Sequence, residues 1–233
     1  AKVLEAVPNF SEGRDLAKVR ALVDTLSDEG VEVLDWSADP DHHRSVITYI
    51  GEPARVEAAA VAGARFALEH IDLRRHEGVH PRIGALDVLP FVPLADARME
   101  DAVVSAHRVG RRIGEMGIPI LYYGMASTPP GRGLSELRRG GFEGLREGFP
   151  AGLLPDEPPG ARLPHPSAGA TCVGARNVLL AWNVFVADLD AADARAMYGR
   201  DHGNGQLGEV VEDHLAEFIM SRSSAADRAL ASA

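Results

Sequence analysis

Arg44-Ser45-Val46-Ile47-Thr48-Tyr49-Ile50-Gly51 alternates along its length, with Val46, Thr48 and Ile50 on one face and Ser45, Ile47 and Tyr49 on the other. A period of two over eight residues is the pattern of a strand. Val31–Trp36 reads as another strand just upstream, and only the polar run Ser37–His43, a loop, lies between them. Two strands in succession with no helix between them decide the fold. Before the pair stand a short apolar run ending at a proline, Val3–Pro8, and a helix over Asp15–Leu26. In that helix Leu16, Val19, Leu22, Val23 and Leu26 recur at three- and four-residue spacing. After the pair, Pro53 sits where the first turn of a helix tolerates it, Ala54–Ile71 is alanine-rich and helical, and Ala85–Val92 is an apolar strand. The order is β-α-β-β-α-β. It predicts an α+β fold, a ferredoxin-like βαββαβ mixed sheet with its helices on one face and the other face free for a partner layer.

Further along, a helix over Met99–Met116 ends at Gly117, and Ile118–Tyr123 is a strand. The glycine- and proline-rich stretch 124–166 carries one helix, Ser135–Glu147. Beyond it come a strand over Val178–Val186, a short helix opening at Asp188, and an amphipathic helix over Glu209–Ile219.

Charge narrows the partners. The 34 acidic residues outnumber the 24 basic ones, and no basic run or aromatic-basic stripe interrupts them, which argues against nucleic acid. An anionic small ligand would need a local cluster of arginines. Cys172 is the only cysteine, so no intrachain disulfide is expected. No apolar stretch is long enough to span a membrane, and the first residues lack the regions of a signal peptide; a cytoplasmic protein with no membrane partner is expected.

Three segments concentrate polar chemistry. Val7-Pro8-Asn9-Phe10-Ser11-Glu12-Gly13 follows the first strand, where Asn9 and backbone donors can meet a ligand or where Asn9 or Ser11 can cap the next helix. Asp39-Pro40-Asp41-His42-His43-Arg44 sets two carboxylates, two imidazoles and a guanidinium together, enough for an anion or a metal or for a solvated loop. Arg75-His76-Glu77-Gly78-Val79-His80-Pro81-Arg82-Ile83-Gly84-Ala85-Leu86-Asp87 fixes the backbone on either side of His80, as suits a histidine that must be aimed. Arg82 suits a carboxylate. The His76–His80 spacing mimics a helical metal pair, but Gly78 and Pro81 oppose a helix there.

Taken with His43-Arg44-Ser45-Val46 and with Gly169-Ala170-Thr171 through Gly174-Ala175-Arg176, these blocks resemble the formiminotransferase family in order and spacing, over residues 3–187. The resemblance implies transfer of the formimino group of N-formimino-L-glutamate to tetrahydrofolate, as co-substrate, in histidine breakdown. It implies two subdomains facing each other across a folate-binding cleft, with residues 1–176 as the N-terminal subdomain; residues 177–233 form only a shortened C-terminal segment, so half of that cleft is expected to be absent unless a second chain supplies it. Carried over residue by residue, it makes His80 the acid–base catalyst. Arg44 and Arg82 then hold substrate carboxylates, Asn9 hydrogen-bonds the pterin or the formimino nitrogen, and Asp39 or Asp87 stabilises the amidine cation.

This sequence departs from the family pattern at His43, where asparagine is expected, at Val79, where an acidic residue is expected, and at Glu77, where lysine is expected. Each changes the charge near His80. The short stretch after residue 187 suggests a homo-oligomer that covers the second sheet face. Three other readings compete: a folate-binding paralogue without turnover, a metal-dependent hydrolase using Asp39, Asp41, His42, His43 and His80, and an interaction module using its open sheet face.

Overall fold

A computed structural model describes residues 1–78 and 81–179. Its α+β architecture is a single mixed sheet of seven strands. The elements are β1 (Lys2–Ala6), β2 (Asn9–Phe10), α1 (Leu16–Ser27), β3 (Glu32–Asp39), β4 (Arg44–Gly51), α2 (Pro53–His70), β5 (Leu86–Ala95), α3 (Met99–Gly114), β6 (Ile120–Gly124), the single turns α4 (Leu134–Leu137) and α5 (Gly141–Gly144), and β7 (Thr171–Ala175). A 3-10 turn, Leu73–Arg75, follows α2.

β1 and β2 are one strand interrupted at Val7-Pro8, and together they lie between β4 and β5, antiparallel to both. β3 borders β4. On the far side β7 joins β5 in parallel and β6 joins β7 in parallel, so the sheet continues past the expected βαββαβ unit.

β4 behaves as its alternation dictates: Ser45, Ile47 and Tyr49 are buried, while Val46, Thr48 and Ile50 are half-buried on the other face. Its regularity also lengthens its neighbour. The residues expected to open a loop, Ser37, Ala38 and Asp39, instead pair with Val46, Ser45 and Arg44, so β3 runs to Asp39 and the turn shrinks to residues 40–43. An ordered edge offers each of these residues a partner for its backbone groups, which outweighs their weak strand propensity.

α1, α2 and α3 cover the face that carries Leu4, Ala6, Phe10, Ile47, Tyr49, Leu89 and Phe91, which form the main core. α1 starts at Asp15, whose carboxylate accepts the Lys18 N–H; neither Asn9 nor Ser11 is the cap. Ser11 instead donates its hydroxyl to the Gly84 carbonyl, and the Asn9 amide donates to the Val7 carbonyl.

A second core occupies part of the opposite face. Leu137, Leu145 and Phe149 fold onto Val88, Leu121, Tyr123 and Cys172. The single helix expected over Ser135–Glu147 is two turns, because Gly140 and Gly141 both take positive φ and end the first. The strand expected from Val178 lies beyond Leu179 outside the described residues, as do the helices expected from Asp188 and over Glu209–Ile219; Val178 and Leu179 themselves are exposed. No helix among the described residues is long and apolar enough to cross a membrane.

Replacement of Gly169 by alanine should cost several kcal/mol, because the position has φ +71° and an added Cβ would strike the Ile83 carbonyl. Asp15→Ala, which removes only a cap, should cost about 1 kcal/mol. Urea denaturation of both variants beside the parent checks the ranking.

Candidate active site

Three loops meet beside the strand ends of β2, β4 and β5, and Ser11, His42, His43, Arg44, His76, Arg82 and Asp87 line a small pocket between them. The sheet register brings part of this set together. Asn9 pairs with Val46 and with Val88, and Asp39 pairs with Arg44, so Asn9, Asp39 and Arg44 share one face.

Asp87 sits at an irregularity. Asn9 pairs with Val88 and Phe10 with Leu86, so two steps along β5 match one along β2 and Asp87 is the bulged residue. Its side chain is 1% exposed. One oxygen accepts the N–H groups of Ile83 (2.7 Å) and Gly84 (3.1 Å), and the other faces the Arg138 guanidinium at 3.3 Å. Burial pushes the Asp87 pKa up, against the two amides and Arg138. Arg138 also donates to the Pro81 carbonyl at 3.4 Å.

Arg82 is 8% exposed and tied on two sides: to the Glu143 carboxylate at 2.8 and 3.2 Å, and to the His76 carbonyl at 3.0 Å. It fastens the loop before β5 to α5. Arg44 is half-buried; burial and the nearby Arg138 guanidinium lower its pKa, while Asp87 and Asp39 act the other way.

Asp39, at the end of β3, accepts the N–H groups of Asp41 and His42, both at 2.9 Å, and its second oxygen meets His42 Nδ1 at 2.7 Å. These bonds, those from His42 foremost, hold its carboxyl at about 2. An ionised carboxylate that orients an imidazole is the arrangement a proton-transfer site uses. His80 and Val79 lie outside the described residues. On their two sides, Gly78 packs against the His42 carbonyl and His43 Cβ, and Pro81 is bonded to Arg138.

Sequence reasoning left several contributors without a role here. Glu12 is 6% exposed; burial opposes its ionisation, but Lys18 and the amides of Asp15 and Arg14 more than offset that and hold it at about 2. The Val7–Gly13 segment around it reads in the sequence as a ligand contact through Asn9 or as a helix entry, and neither reading gives Glu12 itself a part. Arg138 and Glu143 come from the glycine-rich stretch, where nothing local marks them. Among the described residues no group of three or more His, Cys, Asp and Glu gathers as a metal site.

The model for the formiminotransferase domain, N-terminal subdomain, matches residues 3–176. The chain belongs to that family. It is 41% identical to a glutamate formimidoyltransferase of Streptococcus pyogenes over 95% of its own length and 77% of that protein. A glutamate formimidoyltransferase of Thermoplasma acidophilum is 43% identical over 78% of the chain and 61% of that protein. The formimidoyltransferase-cyclodeaminase of Rattus norvegicus is 37% identical over 88% of the chain, which spans 39% of that longer protein.

The His76 ring, 7% exposed, has its pKa lowered from 6.5 to about 4, by burial first and then by His43 and Arg82, against its bond to the His43 carbonyl. Its unfolded form takes up a proton first. The associated stability is therefore complete above about pH 6.5 and is lost as pH falls toward 4. Denaturant titrations between pH 7.5 and 4 should show a decline on the order of 3 kcal/mol from this group. His76→Gln should flatten it.

Proposed function

We propose that this chain transfers the formimino group of N-formimino-L-glutamate to tetrahydrofolate, with His80 as the acid–base catalyst. The observation that carries this reading is the convergence of Asn9, Asp39 and Arg44 on one sheet face beside the chain segments that flank His80, within a member of the formiminotransferase family.

The chemistry needs few groups. The N5 amine of the folate attacks the amidinium carbon, a C–N bond forms, and a tetrahedral intermediate results. One proton leaves N5 and one must reach the departing glutamate nitrogen as the old C–N bond breaks; the products are the N5-formimino folate and glutamate. A single imidazole can accept the first proton and return it to the leaving nitrogen. His80 is assigned that part.

The amidinium is cationic, so an ionised carboxylate stabilises it and the transition state that follows. Asp39 suits this better than Asp87. Asp39 is ionised and on the exposed side of the turn, whereas Asp87 is buried and burial raises its pKa. For the substrate carboxylates, Arg44 is the preferred donor, because it is half-buried in the pocket on the same sheet face as Asn9 and Asp39. Asn9, on the neighbouring strand, is assigned the contact with the pterin or the formimino nitrogen.

The parent protein should convert N-formimino-L-glutamate in the presence of tetrahydrofolate, and His80→Ala should lose at least about 10²-fold in kcat. Arg44→Ala should raise KM for formiminoglutamate by about 10-fold or more, as loss of a charge-assisted bond to a carboxylate does. Arg82→Ala should act mainly on stability. Folate binding by calorimetry without turnover in the parent protein would replace the transferase with a binding paralogue.

A further inference from the structure

His43 joins three loops that are distant in sequence. It sits in the 40–43 turn between β3 and β4 with φ +50°, a left-handed conformation that costs energy for a residue with a Cβ. Its ring is 14% exposed. Nδ1 is 3.0 Å from the Glu77 carbonyl oxygen, and Nε2 is 3.2 Å from the Glu12 carboxylate. The flat of the ring lies on His76, with centroids 4.1 Å apart and planes 8° from parallel. His76 in turn donates from Nε2 to the carbonyl of His43 itself, at 2.8 Å. Gly78 completes the joint: a Cβ there would meet the His42 carbonyl and His43 Cβ, so only glycine lets the chain pass this close.

The two ring nitrogens face groups that can only accept. A carbonyl oxygen has no proton to give, and Glu12 is ionised. A neutral imidazole has one N–H and satisfies one of the two; the imidazolium satisfies both. The stack on His76 fits that assignment, since His76 stays neutral beside it.

We infer that His43 is a positioning residue for the proposed transferase, an imidazolium clamp that fixes the Glu77 carbonyl, three residues before His80 in sequence, to Glu12. The clamp rests on the functional reading above only for its effect on turnover; the bonds themselves do not. The backbone strain at φ +50° is held in place by three contacts from two other loops, those of Glu12 and of His76–Glu77. Strain of this kind accumulates where geometry matters to chemistry. The charged groups around the ring are Glu12 and its partner Lys18 from α1, with Nζ at 2.7 Å, His76 on the stacked face, Arg82 behind His76 through the His76 carbonyl, and Arg44 and the Asp39–His42 pair in the same turn. Among the described residues Glu12 is the one carboxylate paired with the ring.

A neutral ring has one N–H and releases one of its two acceptors, so only the imidazolium holds the Glu77 carbonyl and Glu12 together. The test combines two kinds of measurement on the whole chain. Nitrogen NMR of the His43 ring at neutral pH should show both nitrogens protonated. Glu12→Gln should shift the ring toward the neutral form, and amide hydrogen exchange at Glu77 and Gly78 should quicken in His43→Ala. In turnover, His43→Ala should lower kcat by about 10-fold or more, as misplacement of a catalytic group does, with KM for both substrates within about twofold. His43→Asn, which is at ease in the left-handed conformation and keeps a donor, should recover part of kcat. A neutral His43 ring in the parent, or exchange at Glu77 and Gly78 unchanged in His43→Ala, would overturn the clamp whether or not the protein is a transferase. Normal kcat in both His43 variants would overturn the positioning role while leaving the transferase intact.

Discussion

A carboxylate with almost no contact with water sits at the bulge of β5, and much of the site hangs on it. Asp87 could not remain there alone: an isolated ion in a protein interior costs several kcal/mol, and removal of one member of a buried pair leaves the other uncompensated. Its two oxygens are met by the amides of Ile83 and Gly84 and by Arg138. Each of those bonds does structural work beyond neutralising charge. The amides fix the turn that leads from Arg82 into β5. Arg138 ties the segment that builds the second core to the same point, and through the Pro81 carbonyl to the chain next to His80. One buried group thus couples sheet, second layer and loop.

Around this anchor the loops are held by a series of bonds between polar groups and backbone rather than by apolar packing. Arg82 holds the His76 carbonyl, His76 holds the His43 carbonyl, and His43 holds the Glu77 carbonyl. Loop carbonyls have no strand or helix partner, and when partly buried they must find donors elsewhere. Imidazole and guanidinium side chains supply them here. The arrangement accounts for the density of histidine and arginine in residues 42–44 and 74–82 without assigning every one of them to a ligand. It also separates roles that look alike in the sequence. Arg82 and Arg44 were equal candidates for a carboxylate, yet the first is fastened to Glu143 and a carbonyl, and the second lies in register with Asp39 on the site's own face.

The elements that were legible in the sequence are those with strong local periodicity. β4, α1, α2 and α3 follow their patterns within a residue or two, because a period of 2 or of 3.6 fixes which side chains can be buried together. The motifs around Asn9, Asp39, Arg44 and His80 were also visible, as clusters of polar groups next to strand ends. Where expectation and structure parted, the missing information was non-local. Ser37–Asp39 is a strand because β4 offers a partner, and 135–147 is broken because Gly140 and Gly141 turn the chain back onto Val88, Leu121 and Cys172.

By itself, then, the sequence determined the α+β class, the order of the first strands and helices, the family, and the short list of polar residues from which a site could be made. Tertiary structure alone decided what each of those residues is attached to. Asp87 became an internal anchor because it falls at a bulge, and Glu12 and His43 came together because the segment leading into α1 meets the 40–43 turn, where Arg14 also donates to the Pro40 carbonyl. Periodicity encodes burial, which is a property of one segment. A hydrogen bond between residues 31, 33 or 51 positions apart is a property of the folded chain, and no local pattern records it.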